Sequence, residues 1–189
     1  QPWYQGETLI TSIGQGNFLV TPMQVARYTG ILATGKNIVP HFLHGINGEK
    51  VKFEPAGDIL TPFEKKQLPY IQKAMYEVVN HKKGTAHKYF KEAKLTLAAK
   101  TGTAQVVGIS QAEKKRIKEE DMEYLRRSHA WVTTYGPYEE PRYVVTVIIE
   151  HGGHGGLAAG PLTAKIFNKL LDMGYIDKKY EIPSLADIE

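Results

Sequence analysis

The sequence predicts an α/β chain of the α+β type, in which a mostly antiparallel sheet is covered by helices within one domain. Two segments, Thr21-Pro22-Met23-Gln24 and Thr61-Pro62-Phe63-Glu64, each have the layout of a helix start. Between Leu95 and Glu150 lie three segments rich in small and β-branched residues, the last two joined by Gly136-Pro137-Tyr138-Glu139-Glu140-Pro141. That linker has the composition of a hairpin loop, so its strands are antiparallel neighbours. An apolar helical pattern returns after the glycine-rich stretch Gly152 to Gly160. The order is therefore helix, helix, strand, strand, strand, helix, without an internal repeat or dividing linker.

In the first helix Thr21 is the N-cap, Pro22 occupies the first turn where its missing N–H costs nothing, and Gln24 completes a capping box. It runs to about Ala33 and Gly35 terminates it. Ile38, Val39 and Phe42 then read as extended chain leading to the turn residues Gly45, Asn47 and Gly48. The second helix places Leu68, Ile71, Met75, Val78 and Val79 on one face. Pro69 should kink it or mark its true first turn, and it ends near Asn80 before Gly84. Leu95 to Val107 suits a strand. Gln111 to Arg127 is highly charged, with little apolar anchoring, and reads as an exposed helix or mobile excursion. Ser128 to Tyr135 and Tyr143 to Glu150 are strands, and the nearly all-apolar run Val144 to Ile149 predicts a central position covered on both faces. Pro161 opens a final helix carrying Leu162, Ile166, Phe167, Leu170 and Leu171, and the tail from Asp172 is too polar to pack.

The composition, 42% hydrophobic and 23% charged over 189 residues, excludes a disordered, collagen-like or coiled-coil chain. A net charge of +4, spread along the chain, gives no sign of nucleic-acid binding. With no cysteine there is neither a disulfide nor thiol chemistry nor Cys-ligated zinc, and the redox compartment stays open. No apolar run approaches the ~18 residues of a membrane span, and Gln1-Pro2-Trp3-Tyr4 is not a signal peptide. The start without methionine is expected to mark a piece of something longer.

The sharpest chemical feature is Lys100-Thr101-Gly102-Thr103 inside a predicted strand. An ammonium supplies charge, hydroxyls donate hydrogen bonds, and glycine admits a ligand close to the backbone, so the natural guest is a carboxylate. K-T-G is also the third element of a set that includes S-x-x-K and S-D-N in serine acyl-transferring enzymes.

The surroundings extend this match. Ser12-Ile13-Gly14-Gln15-Gly16 followed by Thr21-Pro22-Met23-Gln24-Val25-Ala26, then Gly84-Thr85-Ala86, Ala98 to Gln105, His129-Ala130-Trp131-Val132, Gly152-Gly153 and Ala158-Ala159-Gly160-Pro161 together resemble the class B penicillin-binding proteins. Within that family the chain is most similar to the penicillin-binding protein 2 branch, the elongation transpeptidases of peptidoglycan synthesis. Ala99 stands where the family usually has Gly, and Ala159-Gly160-Pro161 where it commonly has Ala-Ala-Pro; both changes keep small residues. The resemblance implies the penicillin-binding protein and serine β-lactamase-like fold, with residues 1–189 as the C-terminal part of one transpeptidase domain.

The only serines are Ser12, Ser110, Ser128 and Ser184; none begins S-x-x-K and none begins S-x-N. A serine acyl-enzyme needs an activated nucleophile beside a base, so the resemblance places that pair upstream and this chain alone is expected to be inactive. It further implies that Lys100, Thr101 and Thr103 bind the carboxylate of a D-alanyl-D-alanine stem peptide or a β-lactam. The Thr103 backbone N–H would be half of an oxyanion hole, and Gly102 would keep the strand edge open. The implied partners are a membrane glycosyltransferase of the RodA type and the scaffold MreC. The implied location is the bacterial periplasm, with an inner-membrane anchor in the parent and no cofactor. A non-catalytic module binding wall peptides or assembly partners is the alternative. A serine β-lactamase shares the K-T-G strand, but the Ser-Ile-Gly-Gln-Gly and His-Ala-Trp segments argue against it.

Other candidates carry less. His151 and His154 flank Gly152-Gly153 without acidic or Cys partners and read as loop residues rather than metal ligands. His41 and His44 fall on opposite faces of an extended segment. His129 reads as polar packing beside Trp131, and Lys82, Lys83, Lys88, Lys91 and Lys94 as solvated surface charge.

Overall fold

The computed structural model describes residues 3–16, 18–53, 57–107 and 117–183. Both Thr-Pro helix starts form as their sequences dictate. Helix α1 (Gln5–Ser12), which the sequence pattern did not single out, precedes α2 (Pro22–Thr34). At the head of α2 the Gln24 N–H donates to Thr21 Oγ1 at 3.2 Å and the Thr21 N–H to Gln24 Oε1 at 2.8 Å. Gly35 closes α2 at φ 70°, a left-handed conformation that suits glycine.

The turn at Asn47 and Gly48, both at positive φ, joins strands β1 (Gly45–Ile46) and β2 (Glu49–Lys50) in a small antiparallel hairpin. Helix α3 (Pro62–Asn80) repeats the capping box, with the Glu64 N–H donating to Thr61 Oγ1 at 3.2 Å. The Thr61 N–H and hydroxyl donate back to the Glu64 carboxylate, which lowers its pKa. Pro69 lies inside α3 and does not interrupt it. Leu68, Met75 and Val79 form the buried face, whereas Ile71 is exposed.

Strands β3 (Ala98–Ala104), β4 (His129–Gly136) and β5 (Tyr143–Ile149) make an antiparallel sheet in the order β3-β4-β5. Among the described residues the middle strand is therefore β4 and β5 has a single strand neighbour, where the sequence predicts a central position for the apolar run Val144–Ile149. Helix α2 covers one face of β5 and α4 (Gly155–Asp172) the other, and this two-sided cover explains apolar residues on both faces of an outer strand.

Two cores flank the sheet. Phe90, Leu95, Leu97, Ala99 and Val132 pack with Phe167 and Leu171 of α4. Ala98 and Tyr135 pack with Ala33 of α2 and Met75 of α3. Each fully buried large side chain contributes about 1.5–3 kcal/mol. On the α2 side, hydroxyls form a chain across the sheet: Thr29 Oγ1 lies 2.8 Å from Thr133 Oγ1, which lies 2.8 Å from Thr146 Oγ1.

Three further expectations are corrected. The last helix begins at Gly155, with Pro161 inside it, rather than at Pro161. Glycines at its start permit an approach to the sheet that side chains would prevent, and Pro161 inside the helix forgoes only the bond its absent N–H would make to the Leu157 carbonyl. The tail packs: Ile176 is 2% exposed, and Tyr180 donates its hydroxyl to Glu140 of the β4–β5 loop. That bond holds the Glu140 carboxyl below the usual range, with the charges of Arg142 and Lys179 adding to it. Of the charged excursion, residues 117–127 form two single 3₁₀ turns, not a helix, while 108–116 lie outside the described residues. Among the described residues no helix is long and apolar enough to cross a membrane.

Candidate active site

Strand β3 has one side paired with β4 and, among the described residues, no strand on the other. The odd-numbered residues direct their backbone groups to that open side. Leu97 C=O accepts from Asn80 Nδ2 at 2.9 Å and Thr103 C=O from Gln15 Nε2 at 2.6 Å, so neither is used by β4. In an antiparallel pair the N–H and C=O of one residue face the same way, so Thr101 and the Thr103 N–H share this edge.

Side chains alternate across the sheet. Thr101 and Thr103 point toward α4 and, with Thr85, Tyr89, His154, Gly155, Gly156 and Leu157, line a cavity of about 230 Å³. Lys100 leaves from the opposite face, and its Nζ turns back to donate to Thr101 C=O at 2.6 Å. Partial burial lowers the Lys100 pKa, because a charged ammonium loses hydration there. Gly102 lies over Trp131: a β-carbon on it would sit 3.2 Å from Trp131 Cβ.

The four residues singled out from the sequence thus share one strand edge, with two hydroxyls lining an opening on one face and the Lys100 ammonium reaching the Thr101 carbonyl from the other. Such an edge can take a carboxylate and pair with an extended ligand.

The cavity also has walls the sequence pattern did not select. Gly156 packs on Tyr89, where a β-carbon would meet the ring at 2.8 Å. The adjacent pair Gly155-Gly156 at a turn was the available signal for a close approach. Nothing in the sequence marks Tyr89 as a wall.

Of the histidines singled out from the sequence, His154 lines this cavity, while His129, His151 and His41 are engaged elsewhere. His129 Nδ1 accepts the His151 N–H at 3.0 Å, and His151 Nδ1 lies 3.1 Å from the Arg127 carbonyl, which needs the proton on that nitrogen. His41 stacks on Phe53. Of the serines, Ser128 is buried, with its N–H and Oγ bonded to Glu119 at 2.8 and 2.7 Å, and Ser12 Oγ bonds Leu9 C=O at 2.7 Å. Ser110 and Ser184 lie outside the described residues.

Comparison with known proteins places this geometry among relatives. The peptidoglycan D,D-transpeptidase MrdA of Haemophilus influenzae is 38% identical over 97% of this chain, which spans 29% of that protein. Helicobacter pylori penicillin-binding protein 2, solved in complex with MreC, is 48% identical with a TM-score of 0.77, covering 93% of this chain and 29% of its own. Pseudomonas aeruginosa penicillin-binding protein 2, solved with WCK 5153, is 30% identical with a TM-score of 0.73, covering 96% and 36%. This chain therefore spans about three-tenths of the relatives it matches. The family described as the penicillin binding protein transpeptidase domain matches residues 1–172, and the chain belongs to that family.

Proposed function

We propose that residues 1–189 are the C-terminal part of the transpeptidase domain of a peptidoglycan D,D-transpeptidase of the elongation type. The observation that carries this reading is the open edge of β3, where Thr101 and Thr103 line a cavity and the Lys100 ammonium, coming from the other face, rests on the Thr101 carbonyl. Lys100 and the two hydroxyls hold the terminal carboxylate of a D-alanyl-D-alanine stem peptide or of a β-lactam. Lys100 leaves Thr101 C=O to do so, exchanging a bond to a neutral carbonyl for one to a carboxylate. The Thr103 N–H donates to the carbonyl oxygen as it gains charge; a donor of this kind is worth about 3 kcal/mol in the transition state. Gly102 keeps that approach free of a side chain. The nucleophilic serine and its lysine base come from the upstream part of the parent.

The parent acts in the periplasm from an inner-membrane anchor, with a membrane glycosyltransferase of the RodA type and the scaffold MreC as partners. The H. pylori relative solved with MreC supports the MreC part of this reading.

The test uses the full-length parent and a fluorescent penicillin. Lys100→Ala is expected to slow acylation about ten- to a hundredfold, the loss of one charge-assisted contact. An unchanged rate overturns the assignment. A wild-type parent that takes no label favours a non-catalytic wall-peptide module instead.

A further inference from the structure

Gln15 reaches the active-site strand from the opposite end of the chain. Its Nε2 donates to Thr103 C=O at 2.6 Å and its Oε1 accepts the Gln105 N–H at 3.4 Å. One primary amide thereby satisfies both a carbonyl and an N–H that a neighbouring strand would otherwise pair. The loop that presents it is built for the purpose. Gly14 and Gly16, at φ 75° and 92°, bracket Gln15 in conformations open chiefly to glycine, and the Gln15 N–H is anchored on Ile10 C=O at 3.1 Å. The side chain is half-buried against the strand.

We propose that Gln15 is a positioning residue of the transpeptidation site: its amide sets the Thr103 backbone and closes the β3 edge beyond it. This rests on the function proposed above. Holding the Thr103 carbonyl fixes the strand on the C-terminal side of the N–H that faces the substrate. Use of the Gln105 N–H means that a ligand adding to the edge pairs no further than Thr103. Gln15 itself touches neither the reacting carbonyl nor the carboxylate. Its effect therefore belongs to the acylation step, where donor alignment counts, rather than to initial binding.

The experiment measures the acylation rate constant k2 and the pre-covalent constant K separately for benzylpenicillin on the full-length parent. Gln15→Ala is expected to lower k2 about tenfold with K within twofold, the scale of a small misalignment at a reacting centre. Gln15→Glu supplies the discriminating signature. Its carboxylate accepts from Gln105 but has no proton for Thr103 C=O, whereas the carboxylic acid reproduces both bonds of the amide. The ratio of Gln15→Glu to wild-type k2 is expected to rise as pH falls through the carboxyl range, and the Gln15→Ala ratio to stay flat. An unchanged k2 in both variants overturns the proposal. So does a loss confined to the fraction of protein able to react, which marks a folding defect alone. A labelled wild type with unaffected variants removes only the role of Gln15, while an unlabelled wild type removes the transpeptidase reading with it.

Discussion

Gly155, at the start of α4, lies so close to Gly102 that a β-carbon on it would sit 2.3 Å from the Gly102 carbonyl oxygen, and equally near that of Trp131. Helix α4 and strand β3 meet there backbone to backbone. Gly155→Ala cannot be accommodated by a side-chain shift, because the opposing atoms are main chain. Overpacking of this kind costs about 1–3 kcal/mol, so the full-length protein should melt several degrees lower. Displacing α4 also moves a wall of the Thr101–Thr103 cavity, so β-lactam acylation should slow in the folded fraction. Differential scanning fluorimetry and penicillin labelling together check both effects.

The lowered pKa of Lys100 fixes the direction of a pH effect. The ammonium is complete below that pKa and lost as pH rises through it. Carboxylate binding should therefore weaken on the alkaline side at a lower pH than an ordinary lysine would dictate. Lys100→Arg, which stays charged, should remove that alkaline limb from K in the full-length parent. A limb that persists in the arginine variant assigns the titration to another group.

Thr133 stands between Thr29 and Thr146 in the hydroxyl chain across the sheet. Thr133→Val keeps the shape and removes the middle hydroxyl, leaving Thr146 without this partner. A loss of about 1 kcal/mol is expected from chemical denaturation, with the acylation rate little changed.

Ile176 is buried under α4 in the segment that its polar neighbours disguise. Ile176→Ala should cost about 2–5 kcal/mol by opening a cavity. Denaturant titration of the parent measures it, and a change under 0.5 kcal/mol would show that the tail contributes no core.

The chain by itself should take no covalent label from a fluorescent penicillin. Neither of its described serines is placed as a nucleophile beside a lysine, and Ser128 is committed to Glu119.

Much of this was readable from local sequence. Thr21 and Thr61 declare their helices because a cap and its partner lie three residues apart. Lys100 to Thr103 fall together on β3, as expected of a run that lies within one strand. The order of strands was not readable. An outer strand sandwiched between α2 and α4 is as apolar on both faces as a central one, so β5 imitated the middle position held by β4. The bond from Gln15 to Thr103 spans 88 residues, and no local spacing records it. Ile176 escaped notice because the few apolar residues of this charged segment follow no period, yet Ile176 and Tyr180 join the core at the end of α4.

The unpaired side of β3 also bears on how the protein stays apart from its own copies. A bare strand edge is a template for any passing strand. Here side chains occupy it piecemeal: Asn80 on the Leu97 carbonyl, Lys100 on that of Thr101, Gln15 on that of Thr103. A foreign strand would have to displace three separate groups, one of them charged, before its ladder could grow. A short ligand bearing its own carboxylate, of the kind proposed above, would have only the lysine to move.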